Sequence, residues 1–324
     1  MRAAQVVTLT GPADVVVQEA PDLTPGVGEV LVEVHAAGLA FPDVLLSRGQ
    51  YQMKPEPPFT LGADVAGVVA ALGRGVTGLE VGQRVAGVIP HGGAAEYAVL
   101  PADWVFPLPG ILTFTEGAAL GMNYLTADFV LHRRAQVRPG ETVLVHGAAG
   151  GVGTATIQVA KAMGAEVIAV VSTQEKSVVA RAAGADHILF TDGFLNGVKS
   201  LTEGRGVDVV VDVVGGEVFT DSLRALAQYG RLVVVGFAAG QGIPEVKVNR
   251  LLLNNIDVRG AGWGAAVMTT PGAMQEQWAR IEPMIDSGVV RPPISAVHQL
   301  DDVAHGLLEI DERRAAGKVV LAVR

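Results

Sequence analysis

A chain of 324 residues with 24 Lys plus Arg against 33 Asp plus Glu carries a net charge of −9, which speaks against a polyanionic partner such as nucleic acid. Its 49% hydrophobic and 18% charged residues suffice for large buried cores and exclude a disordered chain, and the length suits about two domains. The absence of cysteine removes disulfides, thiolate nucleophiles and every Cys-ligated metal site at once.

In chain order, the opening MRAAQVVTLT is too short in apolar residues for a secretory signal, and no later segment reaches the roughly 18 unbroken apolar residues of a membrane span. A cytoplasmic protein without a membrane partner is expected. From Met1 to about Pro109, short Val-rich runs are broken by Gly and Pro. Val30, Val32 and Val34 alternate with Leu31, Glu33 and His35, the period-two pattern of a half-buried strand, so the first third reads as β-rich. After Glu141 the texture changes to apolar runs alternating with Ala-rich stretches. Strands are expected over Thr142 to His146, Glu166 to Val171, His187 to Thr191, Val207 to Val211, Arg231 to Gly236 and Asp257 to Gly260. Helices are expected over Val152 to Met163, Gln174 to Ala183, Phe194 to Thr202 and Val218 to Ala227, and the link from Gly236 to Asp257 reads as mostly irregular. Apolar runs of this kind, covered on both faces, indicate a doubly wound parallel sheet. The tail offers a helix from Pro271 to Asp286, a Pro292-Pro293 stop, a helix near Val303 to Glu309 and a strand Lys318 to Val323. It is too short for its own core and is expected to complete the first domain.

The sharpest local signal is the run from Thr142 to Gly153, where glycines at 147, 150 and 153 join a strand to an Ala-rich helix. Backbone N–H groups and the helix dipole at such a junction receive a pyrophosphate, and glycine lets it approach. An acid about 20 residues on would bind the ribose of NAD. Here Ser172 stands in that region with Lys176 after it, a hydroxyl and an ammonium suited to the 2′-phosphate of NADPH, although Glu175 is adjacent.

Further markers are Ala37 to Asp43, Gly49-Gln50-Tyr51, Pro58 to Gly67, Val81 to Val85, Asn123 to Ala127, Val235 to Ala238 and Gly317 to Val320. With the glycine loop, their order and spacing resemble the medium-chain dehydrogenase/reductase superfamily over essentially the whole chain, in its zinc-free quinone oxidoreductase branch that includes zeta-crystallin. The resemblance implies an α/β protein with a GroES-like β-rich catalytic domain from residues 1–120 and 262–324. A doubly wound Rossmann NADPH-binding domain would span 121–261, with the active site in the cleft. It also implies a homodimer joined through the last Rossmann strand near Ile256 to Gly260. Zinc-dependent relatives carry ligand cysteines and a Gly-His-Glu motif; this chain has no Cys and has Gly62-Ala63-Asp64, and its 7 histidines show no ligand pair at helical or turn spacing. No catalytic metal is expected.

Carried over position by position, the resemblance sets Phe41, Pro42 and Asp43 near the nicotinamide with Thr126 beside it. Gly150, Gly151 and Val152 would hold the pyrophosphate, and Ser172, Thr173 and Lys176 the 2′-phosphate and adenosine ribose. Gly236, Phe237 and Ala238 would cover the cofactor, and Trp263 with Lys318 would close the cleft. Two departures stand out: Ala40 replaces a common Asn, and Thr191, grouped with the cofactor contacts, replaces a Tyr found in some members. The chemistry implied is hydride transfer from NADPH to a small-molecule quinone or electron-poor enone, which needs no Lewis acid. Tyr51, Asn123 and Lys318 are the candidates near the substrate oxygen, with Tyr51, as hydrogen-bond donor or cleft wall, and Asn123 the candidate catalytic side chains; Asp43 and Asp64 read as structural, pairing with buried backbone or Arg. Two alternatives are a reductase of acrylate or enoyl-type C=C bonds and a non-catalytic NADPH-binding structural or sensor protein.

Overall fold

Val30, Val32 and Val34 are fully buried, while Leu31, Glu33 and His35 between them keep partial exposure. Each such valine contributes about 1.5–3 kcal/mol by leaving water. They belong to Glu29–Leu39, the longest strand in the computed structural model, which describes all residues from Met1 to Arg324. The chain divides into two compact units. The first comprises Met1–Asn123, Pro271–Glu282 and Arg291–Arg324; the second comprises Tyr124–Thr270 and Pro283–Val290.

In the first unit, Glu29–Leu39 organises a seven-stranded sheet. Along one edge it pairs antiparallel with Asp64–Leu72. Along the other, its first half takes Tyr97–Pro101 and its second half takes Lys318–Ala322. Gly38 therefore lies opposite both Asp64 and Val320. A Cβ there would stand 2.0 Å from the Ala118 carbonyl oxygen and 2.5 Å from Lys318 Cε, so only glycine permits this approach. Ile294–Gln299 pairs parallel with Lys318–Ala322 at the sheet edge. That strand is not among those expected from the sequence, because an edge strand alternating between half-buried and exposed residues carries little apolar signal.

The second unit holds six parallel strands in the order His187–Phe190, Glu166–Val171, Thr142–His146, Val207–Asp212, Leu226–Val234, Asp257–Gly260. This is the doubly wound dinucleotide-binding order, with its switch point between Thr142–His146 and Val207–Asp212. Leu226–Val234 begins earlier than the expected Arg231. Leu226 pairs with Val207, and the register shifts before Arg231 meets Val209, a bulge around Tyr229 and Gly230 that interrupts the apolar pattern. The link after Gly236 is not wholly irregular, since Asn249–Asn254 forms a short helix. Helical turns over Gly121–Leu125, Thr126–Asp128 and Phe129–Ala135 are likewise absent from the sequence reading; two of the three have π-type spacing, which the 3.6-residue pattern does not detect. No helix is long and apolar enough to cross a membrane.

Candidate dinucleotide and substrate-side residues

The strand Thr142–His146 is buried throughout and delivers the chain to Gly147, whose φ of +59° turns it sharply. The Gly147 carbonyl accepts the Gly150 N–H at 2.9 Å, closing the loop. A Cβ on Gly153 would come within 2.2 Å of that carbonyl, so the third glycine lets the helix Gly151–Ala162 pack onto the turn. At Gly150 the nearest atom to an added Cβ is 3.4 Å away, and this face is open. No side chain caps the helix, leaving the first-turn N–H groups of Gly151 and Val152 for an anion. These are the features a pyrophosphate requires.

At the end of the next strand, Glu166–Val171, exposed Ser172 is followed by Thr173. The Thr173 hydroxyl caps the helix Gln174–Ala182 by accepting the Lys176 N–H at 3.3 Å. Lys176 Nζ donates to Ser172 Oγ at 3.4 Å, so the ammonium and hydroxyl identified from the sequence meet. The Glu175 carboxyl is held below its ordinary range by its own backbone N–H and then by the Thr173 hydroxyl. The Thr191 hydroxyl donates to the Val171 carbonyl at 3.2 Å, within the same turn region.

Two buried groups flank the switch point, and neither figures in the sequence analysis as a site residue. His146 Nε2 lies 2.8 Å from Ser222 Oγ, with Phe194 edge-on to its ring, and burial pushes its pKa down to about 3, so it is a neutral packing group. Asp212 ends Val207–Asp212; its Oδ1 accepts the Val214 and Gly215 N–H groups at 2.8 Å each, and its buried Oδ2 has no partner. Burial raises its carboxyl pKa, against the pull of those two N–H groups. The following strand returns across this turn, with the Ala238 N–H donating to the Val213 carbonyl at 3.1 Å, and leaves Phe237 exposed beside Gly236. Thr126 and Trp263 are buried in the same unit, Trp263 opening the helix Trp263–Thr269.

In the first unit, Phe41 and Pro42 open the helix Phe41–Ser47 and remain partly exposed. Asp43 is buried and points back at the helix start: Oδ2 accepts the Ala40 N–H at 2.8 Å and Oδ1 the Gly62 N–H at 2.9 Å. Burial raises its pKa to about 6 against those two donors, so both oxygens are committed to backbone and Asp43 is a structural clamp. Tyr51 is half-buried against the core, and its phenol is pushed upward by burial and then by the Asp43 charge. Asn123 is buried, donating to the Ala119 carbonyl at 3.4 Å.

Lys318 differs most from its assigned part. The resemblance gives it to the cofactor, whereas the structure buries it, with its ammonium bonded to Asp64 Oδ2. Asp64 Oδ1 accepts the Met122 N–H at 2.5 Å. Asp64 is thus held by backbone, as expected from the sequence, while its charged partner is Lys318 and not an Arg. The partners are 254 residues apart, which is why no local pattern reveals them. Gly121 leaves room for the pair, since a Cβ there would be 2.7 Å from Asp64 Oδ1. No three His, Cys, Asp or Glu side chains are grouped to hold a metal ion.

A family model described as zinc-binding dehydrogenase matches residues 151–281, and one described as alcohol dehydrogenase GroES-like domain matches residues 26–110. Quinone oxidoreductase-like protein 2 of Rattus norvegicus is 38% identical over 326 residues, covering 100% of this chain and 92% of that protein. Among solved structures, a probable oxidoreductase from Mycobacterium abscessus is 41% identical with a TM-score of 0.91, over 100% of this chain and 99% of the other. A mycobacterial protein complexed with NADPH is 33% identical with a TM-score of 0.92, over 100% of both chains.

Proposed function

Because the chain belongs to the medium-chain dehydrogenase/reductase superfamily, in its quinone oxidoreductase branch, we propose that it is a zinc-independent, NADPH-dependent reductase of quinones and related electron-poor enones. The observation that carries the cofactor choice is the end of the second Rossmann strand. There Ser172 stands with the Lys176 ammonium at 3.4 Å, a pair that accepts a 2′-phosphate. The NADPH complex of a mycobacterial relative supports the same reading.

Gly151 and Val152 would hold the pyrophosphate through their backbone N–H groups, with Gly150, whose own N–H is spent on the Gly147 carbonyl, leaving the approach open, and Ser172, Thr173 and Lys176 would hold the 2′-phosphate. When bound, NADPH supplies the hydride. Tyr51 keeps its proton, because burial and the Asp43 charge both oppose ionisation, so its hydroxyl can donate to a substrate oxygen that gains charge. Asn123 orients its loop and the substrate-side contacts. Zinc independence rests on the donor set: the chain has no cysteine, and Asp64 is engaged by Lys318 and the Met122 N–H. A homodimer completes the proposal. Asp257–Gly260 is an edge strand, and Leu252 and Leu253 just before it are about three-quarters exposed (76% and 75%).

The test is oxidation of NADPH and, separately, NADH by metal-free protein with ortho-quinones, para-quinones, enones and crotonyl-type thioesters. Quinone turnover with NADPH preferred is the expected result. Turnover confined to enones or thioesters moves the protein to C=C reduction, and silence with NADPH bound points to a binding role. Replacing Ser172 and Lys176 with Ala is expected to weaken NADPH binding far more than NADH binding; equal losses would remove the 2′-phosphate assignment. Light scattering on a Leu252→Glu, Leu253→Glu variant tests the dimer, which is expected to dissociate.

A further inference from the structure

A second concave site lies at the amino-terminal ends of the Rossmann strands. Its groove of about 270 Å³ is lined by Lys199, Leu223, Arg224, Leu226, Arg250 and Asn254. Leu226 marks the position: it opens Leu226–Val234 and pairs with Val207, the first residue of the neighbouring strand. The glycine loop and Ser172 follow the opposite, carboxyl ends of Thr142–His146 and Glu166–Val171. At roughly 3.3 Å per residue, strands of this length separate the two places by about 15–20 Å.

The charge in the groove requires a reason. Lys199 and Arg224 lie in the last turns of Phe194–Leu201 and Val218–Ala225, where a cation is stabilised by the helix dipole. Arg250 does not share that explanation. It is the second residue of Asn249–Asn254, in a first turn, where the dipole repels a cation. No ion pair in the chain involves Lys199 or Arg250, and no carboxylate lines the groove. Arg224 places one N–H on Asp221 at 2.8 Å and has further donors to offer. Three cations from three helices thus converge in a chain whose net charge is −9. Their floor is firm, since Leu223 and Leu226 are buried, and the Asn254 side chain is tied to the Arg250 carbonyl at 2.8 Å.

We propose that this groove binds the phosphate group of a small molecule, either free phosphate or the phosphate tail of a larger ligand, separately from the dinucleotide site. A dianion relieves the mutual repulsion of Lys199, Arg224 and Arg250, and the two guanidinium forks match its oxygens. The site accepts a compact anion and is consistent with the exclusion of extended polyanions by the overall negative charge.

The experiment is titration of the full chain with inorganic phosphate and with tripolyphosphate at ionic strength matched by chloride, read by ³¹P line broadening and thermal midpoint. It is run on the wild type, on Lys199→Gln/Arg250→Gln, and on Lys176→Ala, which weakens only the proposed 2′-phosphate site. Both substituted cations of the double variant are at the surface, and its thermal midpoint without phosphate checks its folding. Saturable binding is expected in the wild type and in Lys176→Ala, with affinity lower by about tenfold or more in the double variant. Saturation by inorganic phosphate identifies the free ion as sufficient; saturation by tripolyphosphate alone identifies a phosphate tail. The proposal is overturned by unchanged affinity in the double variant, by loss in Lys176→Ala alone, by an equal response to chloride, or by no binding of either probe. Because no readout uses turnover, failure here is distinct from failure of the reductase reading.

Discussion

Replacing Lys318 by Met leaves the Asp64 carboxylate in the interior of the first unit with the Met122 N–H as its remaining donor. The ion pair has side-chain exposures of 3% and 0%, so water cannot substitute for the lost ammonium. Breaking a buried pair from one side costs about 3–5 kcal/mol, and Asp64→Asn should cost a similar amount by stranding the ammonium. The combined Asp64→Asn/Lys318→Met variant removes both charges, fills the lysine stem with a thioether chain and retains an amide oxygen for the Met122 N–H. It is expected to lie within about 1–2 kcal/mol of the wild type, because exchanging a whole buried pair for apolar volume is often near neutral. Urea unfolding of the four proteins closes a double-mutant cycle, and with a slope of about 2 kcal/mol/M each single variant should lower the midpoint by more than about 1 M. A single-variant cost below about 1 kcal/mol, or a double variant as weak as the sum of the singles, would refute the view that these residues matter chiefly as a pair.

The phosphate loop yields a contrast between two glycines. Gly153→Ala sets a Cβ 2.2 Å from the Gly147 oxygen and should both destabilise the second unit and weaken NADPH binding, whereas Gly150→Ala, with 3.4 Å of room, should spare stability and weaken binding alone; thermal midpoints and NADPH fluorescence separate the two. The acid limb of the stability curve should contain opposed contributions. His146, depressed from 6.5 to about 3, binds fewer protons in the folded state, so its contribution is present above pH 6.5 and lost as pH falls towards 3. Asp43, raised from 3.8 to about 6, binds more protons when folded, so its contribution is present at low pH and lost as pH rises through 6. Between pH 6 and 4, His146→Gln should flatten the pH dependence of the urea midpoint and Asp43→Asn should steepen it, each by up to about 1.4 kcal/mol per pH unit; the opposite pattern would refute both burial effects. Tyr51→Phe should lower kcat for quinones by roughly tenfold if the hydroxyl donates to developing charge, and a change in KM alone would make Tyr51 a wall of the substrate site.

Much of the second unit was legible from local sequence. Thr142–His146, Glu166–Val171 and Asp257–Gly260 have the bounds expected from the sequence, and Gln174–Ala182 and Phe194–Leu201 differ by one residue. Parallel strands covered on both faces write themselves as unbroken apolar runs, and helices beside them as Ala-rich amphipathic stretches. The glycine spacing at 147, 150 and 153 and the Ser172 to Lys176 segment stood out for the same reason, since each is a short contiguous stretch of chain. Ile294–Gln299, an edge strand of mixed burial, and Asn249–Asn254, a helix with no buried residue, lack that imprint.

What sequence determined by itself was therefore whatever a contiguous segment encodes: the alternation of strand and helix, the glycine turn between Thr142–His146 and Gly151–Ala162, and the absence of cysteine. Tertiary structure decided which distant charges meet. Asp64 finds Lys318 only because two strands of one sheet flank Gly38, and Lys199, Arg224 and Arg250 share a groove only because three helices meet at the amino-terminal ends of the strands of another sheet. Such encounters depend on pairing registers and helix packing accumulated over the whole fold, and no local period records them.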